Sequence, residues 1–119
     1  MTINRQRVTW TTAANGAATA NFPKTCNAAK LYAVLWNVGT GDAGIDFTLA
    51  TTGADGSATV FAVTNADASA KYYPRVAVVD ATGSALTWYD TPILDGRVTL
   101  TIAQGGNVKT GSMVILYEN

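Results

Sequence analysis

The chain of 119 residues has no histidine, one cysteine (Cys26), seven aspartates and a single glutamate, Glu118. Histidine is the commonest general base near neutral pH and a frequent metal ligand. Its absence removes every Ser-His and Cys-His nucleophile arrangement. Cys26 would need another activating group, and Lys24 and Lys30 are its only nearby cations in sequence. A lone thiol without a partner motif reads as a buried or incidental side chain. It also has no intrachain partner, so folding does not depend on oxidation.

Glycoside hydrolysis requires two opposed carboxylates. Here Asp42, Asp55, Asp80 and Asp95 stand beside or close to glycine in turn sequences, where an aspartate bonds nearby backbone in an Asx-turn. The turn role is preferred over catalysis. Oxygen-rich turns can also collect calcium, at residues 41–42 or 90–95, but no EF-hand or glycine-rich calcium repeat occurs. Neither GxxxxGK[ST] nor GxGxxG followed by a helix is present, so phosphate cradles are unsupported. Tyr72, Tyr73, Trp88 and Tyr89, with Arg75 near them, have the rings to stack sugars or bases, although strand aromatics usually serve the core. No catalytic residue, metal or cofactor is assigned, and the expectation is a protein that is not an enzyme.

Eight basic residues balance eight acidic ones, which argues against nucleic acid or an anionic membrane as the main partner. Charged residues form only 13% of the chain, about half the usual share, so the surface must be polar but weakly charged. Such a surface suits a protein stored against neighbours better than one free at high concentration. No apolar run is long enough to span a bilayer, and residues 1–7 are polar, so neither anchor nor classical signal peptide is expected.

The elements that position these residues read as strands. Val98, Leu100 and Ile102 alternate with Thr99 and Thr101, as Ile45, Phe47 and Leu49 do with Asp46 and Thr48, and Val8 and Trp10 with Thr9 and Thr11. These are strands with one wet face. Residues 31–38 and 113–117 are apolar on both phases, which predicts central strands buried on both faces, one of them against another subunit. Further strands are expected at residues 17–22, 58–64, 72–79 and 85–89. Glycine-bearing turns separate the runs, and the Gly105-Gly106 turn predicts a closing hairpin over residues 97–117. Pro74 points to an edge strand or bulge. Residues 65–71, with Asn65 or Asp67 as N-cap, could hold one helical turn.

About eight or nine short strands without a long helix indicate an all-β, single-domain antiparallel sandwich, jelly-roll-like in arrangement. Residues 1–7 form a polar N-terminal arm and residues 8–119 the sandwich domain. Burial of about two-thirds of the open chain's surface, leaving roughly 6,000 Å², suffices without disulfides or metal.

Tyr72-Tyr73-Pro74-Arg75, Asp80-Ala81-Thr82-Gly83, residues 92–98 (PILDGRV) and the ending 111–118 (GSMVILYE) resemble the C-terminal half of small tailed-bacteriophage virion proteins. The likeness spans about half the chain and is one of order and composition. It implies a capsid cement or decoration protein, made in the host cytoplasm, that binds the major capsid protein or another virion protein at the capsid surface. It also implies a homo-oligomer, trimer or dimer. The alternative is a carbohydrate- or receptor-binding module of a tail or fibre. Contact with partners is expected through Ile3, Arg5 and Arg7 of the arm and through Tyr72, Tyr73 and Arg75 at the Pro74 edge, side-chain types common in interface hot spots.

Overall fold

A computed structural model describes residues 2–54 and 56–118. Asp55, one of the four turn aspartates, and Met1 of the N-terminal arm lie outside them. The described residues form ten strands: β1 (Ile3–Thr11), β2 (Ala18–Asn21), β3 (Cys26–Asn37), β4 (Asp46–Gly53), β5 (Gly56–Val63), β6 (Ala70–Tyr72), β7 (Val76–Val79), β8 (Ala85–Asp90), β9 (Ile93–Ala103) and β10 (Thr110–Glu118). Ten replace the expected eight or nine because Pro74, lacking an N–H, splits the run at 72–79 into β6 and β7.

All pairings are antiparallel, and they nest: β1 with β10, β2 with β9, β3 with β6, and β4 with β5. This is a long hairpin rolled over on itself, the jelly-roll arrangement. One layer runs β1-β10-β3-β6 and the other β2-β9-β4-β5. The layers join where the first residues of β3 and β9 pair, at Cys26↔Gly96, Ala29↔Leu94 and Lys30↔Ile93. At Gly96 strand β9 passes from β3 to β4. Its φ is +99°, and a side chain there would run into the Thr52 carbonyl, so only glycine suits this crossing.

The alternating residues read from sequence face inward. Ile45, Phe47, Leu49, Val98, Leu100 and Ile102 of one layer meet Trp10, Val34, Trp36, Met113 and Ile115 of the other, all buried. An aromatic chain bridges the layers, from Trp10 stacked on Trp36 (5.6 Å) to Phe47 (4.7 Å from Trp36) and on to Phe61 and Tyr72. The Trp36 indole N–H donates to the Ala66 carbonyl at 2.8 Å, which satisfies its one polar group inside the core.

Three local expectations are corrected. Residues 97–117 are not a hairpin: β9 pairs with β2, β3 and β4, while β10 pairs with β1 and β3. The apolar faces of β9 and β10 look at each other across the core, which buries both; lying side by side in one sheet would not close the sandwich. Residues 65–71 hold no helical turn. Asn65 instead takes φ +53° with its N–H on Asp46 Oδ1 (2.9 Å), and Ala66 N–H bonds the Ile45 carbonyl.

The N-terminal arm is not free. Residues from Ile3 onward belong to β1, paired with β10 from Ile3↔Glu118 to Thr11↔Thr110. Gln6 fixes them: its amide oxygen accepts from Lys24 N–H (2.9 Å), and its amide nitrogen donates to the Lys24 carbonyl (3.1 Å) and to Tyr117 Oη (2.9 Å). A polar side chain can be buried there because its partners are supplied. Strands β3 and β10 are central, as expected, and their second face is half covered within this chain, with Leu35, Val114 and Leu116 partly exposed and Ala33 buried.

Candidate functional site: an exposed apolar hairpin

Strands β7 and β8 stand apart as a two-stranded sheet paired with no other strand among the described residues. The chain leaves the body at Pro74 and returns at Pro92, both buried, and Leu31 N–H bonds the Pro92 carbonyl at 2.9 Å. Proline restricts φ at each root, where the chain turns out of the body and back. At its tip Asp80 accepts from Thr82 N–H (2.8 Å), Thr82 hydroxyl (2.7 Å) and Ser84 N–H (3.0 Å). These bonds hold its carboxyl below the usual range, the Thr82 hydroxyl contributing most.

The pairs Val76↔Asp90, Ala77↔Tyr89 and Val79↔Ala85 set the faces. Val76, Leu86 and Trp88 lie on one, with Asp90; Ala77, Val79 and Tyr89 lie on the other. Both faces are therefore apolar, and neither is covered: Trp88 is 72% exposed, Tyr89 69%, Val79 55% and Leu86 41%. A shallow concavity of about 330 Å³ runs along Ala85, Leu86, Thr87 and Trp88. Two-stranded ribbons are marginal alone in water, and exposed apolar patches of this kind are sites where contacts form.

The sequence-derived contact residues divide. Ile3, Arg5 and Arg7 do face solvent, but from the outer face of β1 rather than from an arm. Tyr73 is 62% exposed beside the hairpin root. Arg75 is exposed too, its guanidinium donating to the Pro74 carbonyl. Tyr72 does not belong with them: its half-buried ring packs on Phe47 and Phe61, 6.0 and 5.4 Å away. Sequence reasoning had left Val76, Val79 and Leu86 out of the contact set. The available signal was a short strand apolar on both phases next to a proline-marked edge.

The groups weighed for chemistry have structural partners. Asp95 accepts from Ala28 N–H (3.0 Å), holding the β3 bulge where Ala28 takes φ +49°; it does not bond its own turn. Asp42 meets Lys109 at 3.8 Å, and Asp90 accepts from Thr91 N–H. Cys26 is buried, which pushes its thiol pKa up and away from the reactive thiolate. Among the described residues no three of His, Cys, Asp or Glu gather as a metal site, and no helix is long and apolar enough to cross a membrane. No family model, curated protein or solved structure matches the chain.

Proposed function

We propose that the chain is a non-catalytic structural module that acts by protein–protein contact. Following its resemblance to tailed-phage virion proteins, we read it as a capsid cement or decoration protein that attaches to the major capsid protein of an assembled head. The observation that carries this reading is the β7–β8 hairpin, apolar on both faces and uncovered on both. Exposed apolar surface of this kind marks a contact with a partner, and a lattice protein has neighbours to cover it.

A second reading, a carbohydrate- or receptor-binding module, draws on the exposed rings of Tyr73, Trp88 and Tyr89, since aromatic faces stack on sugars. One experiment separates the two. Purified shells are incubated with the protein and with its Leu86→Ser/Trp88→Ser variant, and bound protein is measured after sedimentation. Saturable decoration by the parent, lost in the variant, supports the cement reading. No decoration, together with glycan-array binding lost in Trp88→Ala, moves the assignment to the second.

A further inference from the structure

The outer face of the β1-β10-β3-β6 layer is a partly exposed apolar surface, and the register shows its layout. Arg7 pairs with Val114, Val114 with Leu35 and Leu35 with Lys71, giving one row across four strands: cation, apolar, apolar, cation. The adjacent row is Arg5, Leu116 and Ala33, and the next is Ile3, Glu118 and Lys30. This face therefore carries a central strip of Val114, Leu116 and Leu35 inside a rim of Arg5, Arg7, Lys30 and Lys71, with Glu118 as its one carboxylate among the described residues, accepting from Tyr32 Oη at 2.7 Å. The hairpin, residues 76–90, has the opposite character. It contains Asp80 and Asp90 and no lysine or arginine.

We propose that the hairpin of one copy lies across this face of a second copy, a head-to-tail contact that leaves each copy one hairpin to give and one face to receive. The dimensions agree. Three strand spacings separate Arg7 from Lys71, about 14 Å, before their long side chains reach further. The strand length between Asp80 at the tip and Asp90 at the root is about 17–20 Å. A hairpin laid across the strands therefore puts its two carboxylates over the two flanking cations, with Leu86 and Trp88 on the strip between. Sheets pack at such near-right angles where strands cross, and complementary charge fixes the register. Because donor and acceptor surfaces differ, the contact is heterologous and propagates or closes into a ring.

This deepens the proposed function: copies held together would attach to a lattice multivalently, so many modest contacts add up. The test uses two variants whose substitutions are all on exposed side chains, Leu86→Asp/Trp88→Asp (hairpin broken) and Arg7→Glu/Lys71→Glu (face broken), with circular dichroism to verify the β signal. Masses are read by sedimentation velocity. The parent is expected at multiples of 12.4 kDa and each variant alone at 12.4 kDa, self-association weakening roughly 30-fold or more as for hot-spot loss. An equimolar mixture of the variants is expected to give a one-to-one dimer, since each supplies the surface the other lacks. A monomeric parent overturns the proposal, and so does a face-broken variant that still self-associates, the mark of hairpin-on-hairpin pairing. A mixture that stays monomeric overturns it as well. Shell decoration is scored separately: a monomeric parent that decorates shells leaves the cement reading standing, and an oligomer that ignores shells removes that reading but not this contact.

Discussion

Strands β8 and β9 are consecutive, joined through Pro92, and built from the same kinds of residue, yet they meet opposite fates. In β9, Val98, Leu100 and Ile102 are buried to within 1% of completely. In β8, Leu86 and Trp88 are 41% and 72% exposed. Alternation and β-branched or aromatic composition make a strand in either place, because strand formation is a local preference. Burial is not local. Strand β9 lies between β2 and β4 and faces the opposite layer, whereas β8 has only β7 beside it. The core between the layers is thus closed within one chain, whereas the hairpin's apolar side chains stay exposed.

That contrast can be broken most severely by deleting residues 1–7. If β1 is part of the body, the deletion strips half an edge strand together with Gln6 and should remove several kcal/mol of the about 5–15 kcal/mol a domain holds. Urea unfolding would show it; a midpoint unchanged from the parent would return these residues to a dispensable arm. Phe47→Ala comes next, at about 3–5 kcal/mol, since the ring touches Trp36, Phe61 and Tyr72 in the centre of the core. Leu100→Ala should fall at about 2–5 kcal/mol by the same measurement. A loss below about 0.5 kcal/mol in either would mean the core is not where the strand faces place it.

Gln6→Ala leaves the Tyr117 hydroxyl and the Lys24 backbone without buried partners and should cost about 1–3 kcal/mol. Hairpin changes belong at the small end. Trp88→Ser should shift unfolding by no more than about 0.5 kcal/mol while reducing association, and a large loss of monomer stability would show the ring to be packed after all. The smallest effect is expected from Asp80→Asn, which weakens the tip bonds to Thr82 and Ser84. Faster amide exchange should be confined to the hairpin. Because the folded carboxyl sits below its ordinary range, its contribution is present above that range and is lost as pH falls through the folded value. Protection of the Thr82 and Ser84 amides, corrected for the intrinsic exchange rate at each pH, should therefore fall only in acid.

By itself the sequence determined the strand-rich class, the inward phase of β4, β9 and the end of β1, the turn role of Asp80 and the break at Pro74. Each rests on a period of two or on the chemistry of one residue beside its neighbours. The strand partners were decided by the tertiary structure. The Gly105-Gly106 loop looks like a hairpin turn, but burying the apolar faces of β9 and β10 against each other sends the strands into opposite layers. Gln6 looked like part of a loose polar tail because nothing within six residues announces Lys24 and Tyr117 as its partners. Tyr72 and Trp88 look alike in sequence, and only the position of β6 against β3, with β8 outside the body, makes one a packing residue and the other a surface. Local chemistry sets which segments become strands; long-range burial sets which of them the chain can cover for itself.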